Sequence, residues 1–149
     1  MNKILMFFVA VLIGGGAYQS AAANPIDQYY AYAATGEWQK ALPIIEGLAQ
    51  REPSVPTSWY NYGICLEELK RHSESINAFK KAYELDPLDF GAQYRIFKNY
   101  ALADDAEGFV AFSKSEVVKT PRIIDLISGR EEFKTIVSSK SYIEFKKQL

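Results

Sequence analysis

Cysteine, histidine and surplus charge are all scarce in this chain of 149 residues. Cys65 is the only cysteine, so no disulfide can form within one copy, and stability has to come from packed apolar side chains. Cys65 reads as a small residue buried between helices, with an intermolecular disulfide as the open alternative. His72, the only histidine, stands beside Arg71 and reads as a solvated loop residue. The formal net charge is −1 at pH 7. Nucleic acid and anionic membrane surfaces both require a basic face, so neither is expected as a partner. No Cys/His cluster has metal-ligand spacing, no glycine-rich loop precedes a helix to cradle phosphate, and no G-x-S-x-G occurs. Glu67 and Glu68 are adjacent, which places them about 100° apart on a helix and makes them a poor carboxylate pair. Asp104-Asp105 reads as a turn and cap. No catalytic residue, metal or cofactor is expected.

Long apolar runs are equally rare. Ile4 to Ala17 spans fourteen residues without a charge, short of the roughly 20 that a spanning helix needs. Lys3 precedes the run, Gly14-Gly15-Gly16 weakens any helix in it, and Ala21-Ala22-Ala23 offers small residues for cleavage before Asn24. That order reads as a secretory signal peptide over 1–23, cleaved near Ala23, rather than as an anchor. The expected product is exported, periplasmic or extracellular, with no stable membrane insertion after signal removal. No cysteine stands at the cleavage site to take a lipid. A short signal and the lack of paired cysteines point to a bacterial cell envelope.

What the chain does have is regularity. Pro53, Pro87 and Pro121 stand at equal intervals of 34 residues, a period typical of stacked supersecondary units. The unit from Pro56 to Pro87 is the clearest. Pro56 suits a first helical turn, where its missing N–H costs nothing. Trp59, Tyr62, Leu66 and Leu69 follow at helical spacing up to about Lys70, and Gly63 on the same face lets a neighbouring helix approach. Arg71-His72 makes a turn, Ser73 caps the next helix, and Ile76, Phe79, Ala82 and Tyr83 form its apolar stripe. Asp86-Pro87 stops it. Trp59, Tyr62-Gly63, Leu66, Ser75, Phe79, Ala82 and Pro87 together resemble the tetratricopeptide repeat (TPR) signature W-x2-L-G-x2-Y…A-x3-F…P, with every spacing kept.

The flanking units follow the same pattern less closely. Before the central unit, Tyr29 and Tyr32 fall at first-helix core positions and Gly36 makes the turn. Trp38, Ala41, Ile45 and Leu48 then follow at second-helix spacing. Tyr29 replaces a small residue, and Pro43 is expected to bend the second helix or delay its start. After the central unit, Asp89 caps a helix carrying Ile96, Phe97 and Tyr100. In that unit's second helix Phe109 replaces the small residue, Ser113 the aromatic and Glu116 the second alanine. Phe112 and Val117 are expected to carry the packing at shifted positions. Beyond Pro121, short helices over Arg122–Ser128, Glu131–Val137 and Ser141–Leu149 are expected to cover the open end of the stack. Ile123, Leu126, Phe133, Ile136, Val137, Ile143 and Phe145 would face inward, and Lys140, Lys146 and Lys147 would face water.

The resemblance implies an all-α fold: an α-solenoid, a right-handed superhelix of three TPR-like helix pairs (24–53, 56–87, 90–121) with a helical C-terminal cap (122–149). It also implies that first helices line a concave groove that grips a protein or peptide partner. In the central unit, Tyr60, Ile64 and Glu67 form a stripe turned about 200° from the core face. Ile26, Tyr30 and Ala33 repeat it before, and Tyr94, Lys98 and Ala101 after. The partner-binding residues implied are Tyr30, Tyr60, Asn61, Ile64, Glu67, Tyr94, Arg95 and Lys98. Tyrosine suits such a surface, with a large apolar ring and a polar tip. The family's two-Lys, two-Asn, one-Arg carboxylate clamp is matched only at Asn61 and Arg95; Ile26, Tyr30 and Gly91 hold the other places, so that clamp is not expected. Tyr60→Ala with Arg95→Ala is expected to weaken partner binding without changing melting. The function expected is a non-catalytic interaction scaffold or assembly adaptor. The alternatives are a homodimer formed through Phe109, Phe112 and the tail, and a sensor of a small peptide or cell-wall fragment.

Overall fold

Helix boundaries fall where local chemistry supplies a start or a stop. The computed structural model describes residues 24–119 and 122–149. The signal segment 1–23, its cleavage point near Ala23, and Pro121 lie outside the described residues. Among the described residues there is no strand. The long helices come in three pairs: α1 (Pro25–Ala34) with α2 (Trp38–Arg51), α3 (Pro56–Glu68) with α4 (His72–Leu85), and α5 (Phe90–Leu102) with α6 (Ala106–Lys119). Short elements follow: α7 (Ile123–Ser128), a 3-10 turn (Glu131–Phe133), α8 (Lys134–Val137) and α9 (Lys140–Lys146). Helices adjacent in the chain pack against each other, as in a TPR-like helical solenoid.

Pro25 and Pro56 open α1 and α3. The Asp89 carboxylate caps α5, accepting from Gly91 N at 2.8 Å and Ala92 N at 3.1 Å. Asp105 accepts from Gly108 N at 2.8 Å at the start of α6. Each pair turns through one left-handed residue at the same repeat position: Gly36 (φ 72°), Lys70 (φ 61°) and Asp104 (φ 54°). Glycine adopts that conformation without strain, and aspartate tolerates it better than lysine does. The Lys70 turn is tight enough that α4 begins at His72, with Arg71 at its N-cap and no capping side chain. Ser73 therefore lies inside the first turn and is not the expected cap. Nor does Pro43 delay α2, which runs through it from Trp38. Pro43 and Gln39 are both exposed, so water can serve the carbonyl that loses its partner.

The second helices bury one triplet per unit at the 34-residue period. Ala41, Ile45 and Leu48, then Ser75, Phe79 and Ala82, then Phe109, Ser113 and Glu116 are all buried. The third unit thus keeps its register without losing packing: Phe112 joins the core and half-buried Val117 packs against it, as expected. Bulk has changed sides. In the central unit Gly63 faces Phe79, whose ring would lie 2.8 Å from an added Cβ. The residues 34 positions later are Phe97 and Ser113. Phe97 packs edge-on or tilted against Phe109 and Phe112 at 5.1 and 4.8 Å between ring centroids, and the Ser113 hydroxyl donates to the Phe109 carbonyl at 2.8 Å. Glu116, standing where the central unit has Ala82, accepts from Tyr83 Oη at 2.6 Å, Gln93 Nε2 at 2.7 Å and Lys119 Nζ at 2.9 Å. A buried carboxylate so supplied satisfies the rule that interior charge be paired.

Two apolar clusters result. The smaller unites Tyr29, Ala41, Ile45, Leu48 and Cys65. The larger runs from Ile76 on α4 to Phe145 on α9 and includes the tail. Ile123, Phe133, Ile136 and Phe145 face inward as expected, joined by Ile124, Ile127 and Tyr142. Leu126 and Ile143 do not; they are 54% and 45% exposed. In α9, the Ser139 hydroxyl accepts from Tyr142 N, fixing a start that turns Tyr142 and Phe145 inward and Ile143 outward. Phe109 and Phe112 are both buried in this packing.

Candidate functional site

The first helices of successive units, α1, α3 and α5, stand side by side and are tied by polar side chains. Tyr29 Oη donates to the Asn61 carbonyl at 3.2 Å, and Asn61 Nδ2 donates to Tyr30 Oη at 3.2 Å. Between α3 and α5, Arg95 Nε donates to Tyr60 Oη at 3.1 Å, and its Nη1 lies 3.0 Å from Glu67 Oε1. Lys98 Nζ reaches the same Glu67 oxygen at 2.6 Å, and Asn99 Nδ2 reaches Oε2 at 2.7 Å. These contacts place six of the eight sequence-implied residues in one wall, with Ile64 between them on α3.

They are not equally available. Tyr30 is 50% exposed, whereas Tyr60, Ile64, Tyr94, Arg95 and Lys98 are half-buried. Asn61 and Glu67 are buried at 7% and 4% exposure, so they build the wall without facing outward. Burial alone would push the Glu67 carboxyl up. The hydrogen bonds from Lys98 and Asn99 and the charges of Arg95 and Lys98 outweigh it and hold the group below the ordinary 4.5. Arg95 is thus a structural tie as well as a candidate contact. Tyr60→Ala with Arg95→Ala would leave Glu67 short of a partner, so unchanged melting is not the outcome the structure supports.

His72 corrects another expectation. It is the first residue of α4, half-buried, with Nδ1 3.0 Å from Asn99 Oδ1. Asn99 Nδ2 donates to Glu67 and to the Arg95 carbonyl, which leaves Oδ1 as the acceptor and places the proton on His72 Nδ1. Tyr94 is covered by the tail: its hydroxyl donates to Glu132 Oε1 at 2.5 Å, and the Arg130 guanidinium lies 5.0 Å from its ring centroid. The third-unit end of the wall is therefore occupied by the chain itself.

Asn99 and Gln93 were not singled out from sequence, and His72 and Glu116 were not given these polar roles. A signal existed for the first of these. The links from Glu67 to Arg95, Lys98 and Asn99 span 28, 31 and 32 residues, each a little less than one period, which places them about a turn earlier on the next first helix. At the first-unit end, a cleft of about 290 Å³ opens between α1 and the α2–α3 junction, lined by Ile26, Tyr30, Leu48, Glu52, Val55 and Asn61. Beside it the Trp59 indole N–H donates to the Pro53 carbonyl at 2.9 Å and pins the junction. Cys65 lies buried in the same seam, its thiol donating to the Trp38 carbonyl at 3.3 Å.

Among the described residues no three His, Cys, Asp or Glu side chains converge to hold a metal ion. Among those residues, too, no helix is long and apolar enough to cross a membrane. A search of curated proteins returns no match to the chain. Residues 56–89 match the family model of the tetratricopeptide repeat, a module that mediates protein–protein interaction and is typically non-catalytic. The central helix pair of this chain thus matches a tetratricopeptide repeat and is set within a TPR-like all-helical stack.

Proposed function

We propose that the protein is an exported, non-catalytic assembly adaptor of the bacterial cell envelope that holds a segment of another protein against the α1–α3–α5 wall. The observation that carries this reading is the matched repeat at the centre of that wall. It is supported by the half-exposed side chains of Tyr30, Tyr60, Ile64 and Lys98 on the same side of the stack. Aromatic rings there offer area to an apolar guest side chain, and their hydroxyls are already oriented by Asn61 and Arg95. Export is supported by the order of charged, apolar and small residues over 1–23.

The test is a photo-reactive phenylalanine analogue placed at Tyr30 or Ile64, or at Lys81 or Glu84 on α4 as controls, and irradiated in intact cells. The expected result is a discrete adduct from Tyr30 and Ile64 alone, on protein whose N-terminus is Asn24. Adducts from α4 positions only would reject the wall as the binding face, and protein retained in the cytoplasm would reject export.

A further inference from the structure

Two clefts, one between the first and second units and one on the tail, carry opposite charge. At the first-unit end, the cleft of about 290 Å³ exposes the Tyr30 ring and Val55 beside Glu52. Glu52 is the cleft's one charged side chain and makes no ion pair among the described residues. At the tail end, Val137, Tyr142, Ile143, Lys146 and Lys147 line a cleft of about 250 Å³. Ile143 is 45% exposed there, and neither lysine meets a carboxylate among the described residues. The surroundings reinforce the contrast: residues 24–55 hold four acidic and two basic residues, and residues 134–149 hold four lysines and one glutamate.

We propose that these ends are complementary docking surfaces for a second copy of the chain, the tail of one molecule seated on the first unit of the next. Ile143 enters between Tyr30 and Val55, and Lys146 with Lys147 meets Glu52. An apolar anchor at the centre with opposite charges at the solvated rim is the usual anatomy of an interface. The contact joins unlike surfaces, so it is heterologous and can extend beyond two copies. The contact rests on two small clefts and one group of charges, so the association is weak, concentration-dependent and sensitive to salt. It shares Tyr30 with the wall but needs no guest protein, so either reading can fail without the other.

Sedimentation equilibrium of the purified protein up to about 1 mM, in low salt, tests this. The wild type is expected to gain mass with concentration. Glu52→Lys and the double variant Lys146→Glu with Lys147→Glu are each expected to weaken association about tenfold or more, because like charges then face each other. Mixed in equal amounts, the two variants are expected to associate again, since each junction between unlike variants pairs opposite charges. All three positions are exposed, and matching circular dichroism and melting would show that folding is intact. A wild type that stays monomeric overturns the proposal. So do variants that associate as the wild type does, or a mixture that fails to recover.

Discussion

At the scale of single residues, close packing decides the central unit. Gly63 leaves no room for a methyl group, since an added Cβ would stand 2.8 Å from the Phe79 ring. Gly63→Ala is expected to cost about 1–3 kcal/mol through overpacking. Phe79→Ala is expected to cost about 3–5 kcal/mol through the cavity it leaves. Combined, the two should cost clearly less than their sum, because the new methyl partly fills the space vacated by the ring. Urea unfolding of the four species measures this, and simple additivity would show that the two side chains do not share one space. The third unit has made a comparable exchange, with bulk at Phe97 and a hydroxyl at Ser113. A pattern that looks eroded in sequence is therefore preserved as volume.

At the scale of helices, stacking is fixed by ionised carboxylates as well as apolar contact. Glu67 ties α3 to α5, and Glu116 ties α6 to α4 and α5. Burial tends to raise both acids, but their hydrogen bonds and neighbouring cations prevail and hold each below 4.5. Depressed folded values mean that stability from these groups is full above the ordinary carboxylate range and is lost as pH falls through those values. Urea midpoints should therefore hold from neutral pH to about 4.5 and then fall. Glu67→Gln should lower the neutral-pH stability by about 1–3 kcal/mol, less than a fully buried pair would lose, because Arg95 and Lys98 retain contact with water. The same variant should flatten the acid decline; an unchanged slope would place the acid sensitivity elsewhere. This level was only partly legible in sequence. The three helix pairs followed from proline spacing and apolar periodicity, and Asp89 announced its cap. The phase of the short tail helices did not follow, because few residues define a face and one capping hydroxyl, Ser139, turns Ile143 outward. The ties at Glu67 were also missed, because a periodic stripe gives direction but not whether the next helix covers it.

At the scale of the whole molecule, the apolar clusters are unequal. The first unit is held by a small group around Ile45, while α4 through α9 share a continuous core anchored by Phe79, Phe97, Phe109 and Phe133. A stack of this kind opens unit by unit from its weaker end. Hydrogen exchange should accordingly find the amides of α1 and α2 exchanging well before those of α4 and α5; simultaneous exchange would mean that the clusters unfold as one. The smaller cluster contains Cys65, fully enclosed between α2 and α3, with burial pushing its thiol up to about 11. A sulfur held in that state is a poor nucleophile and cannot be reached by oxidants or maleimides from outside. Alkylation must wait for α2 and α3 to part, so the chain carries its own clock, and the labelling rate counts how often that gap breathes.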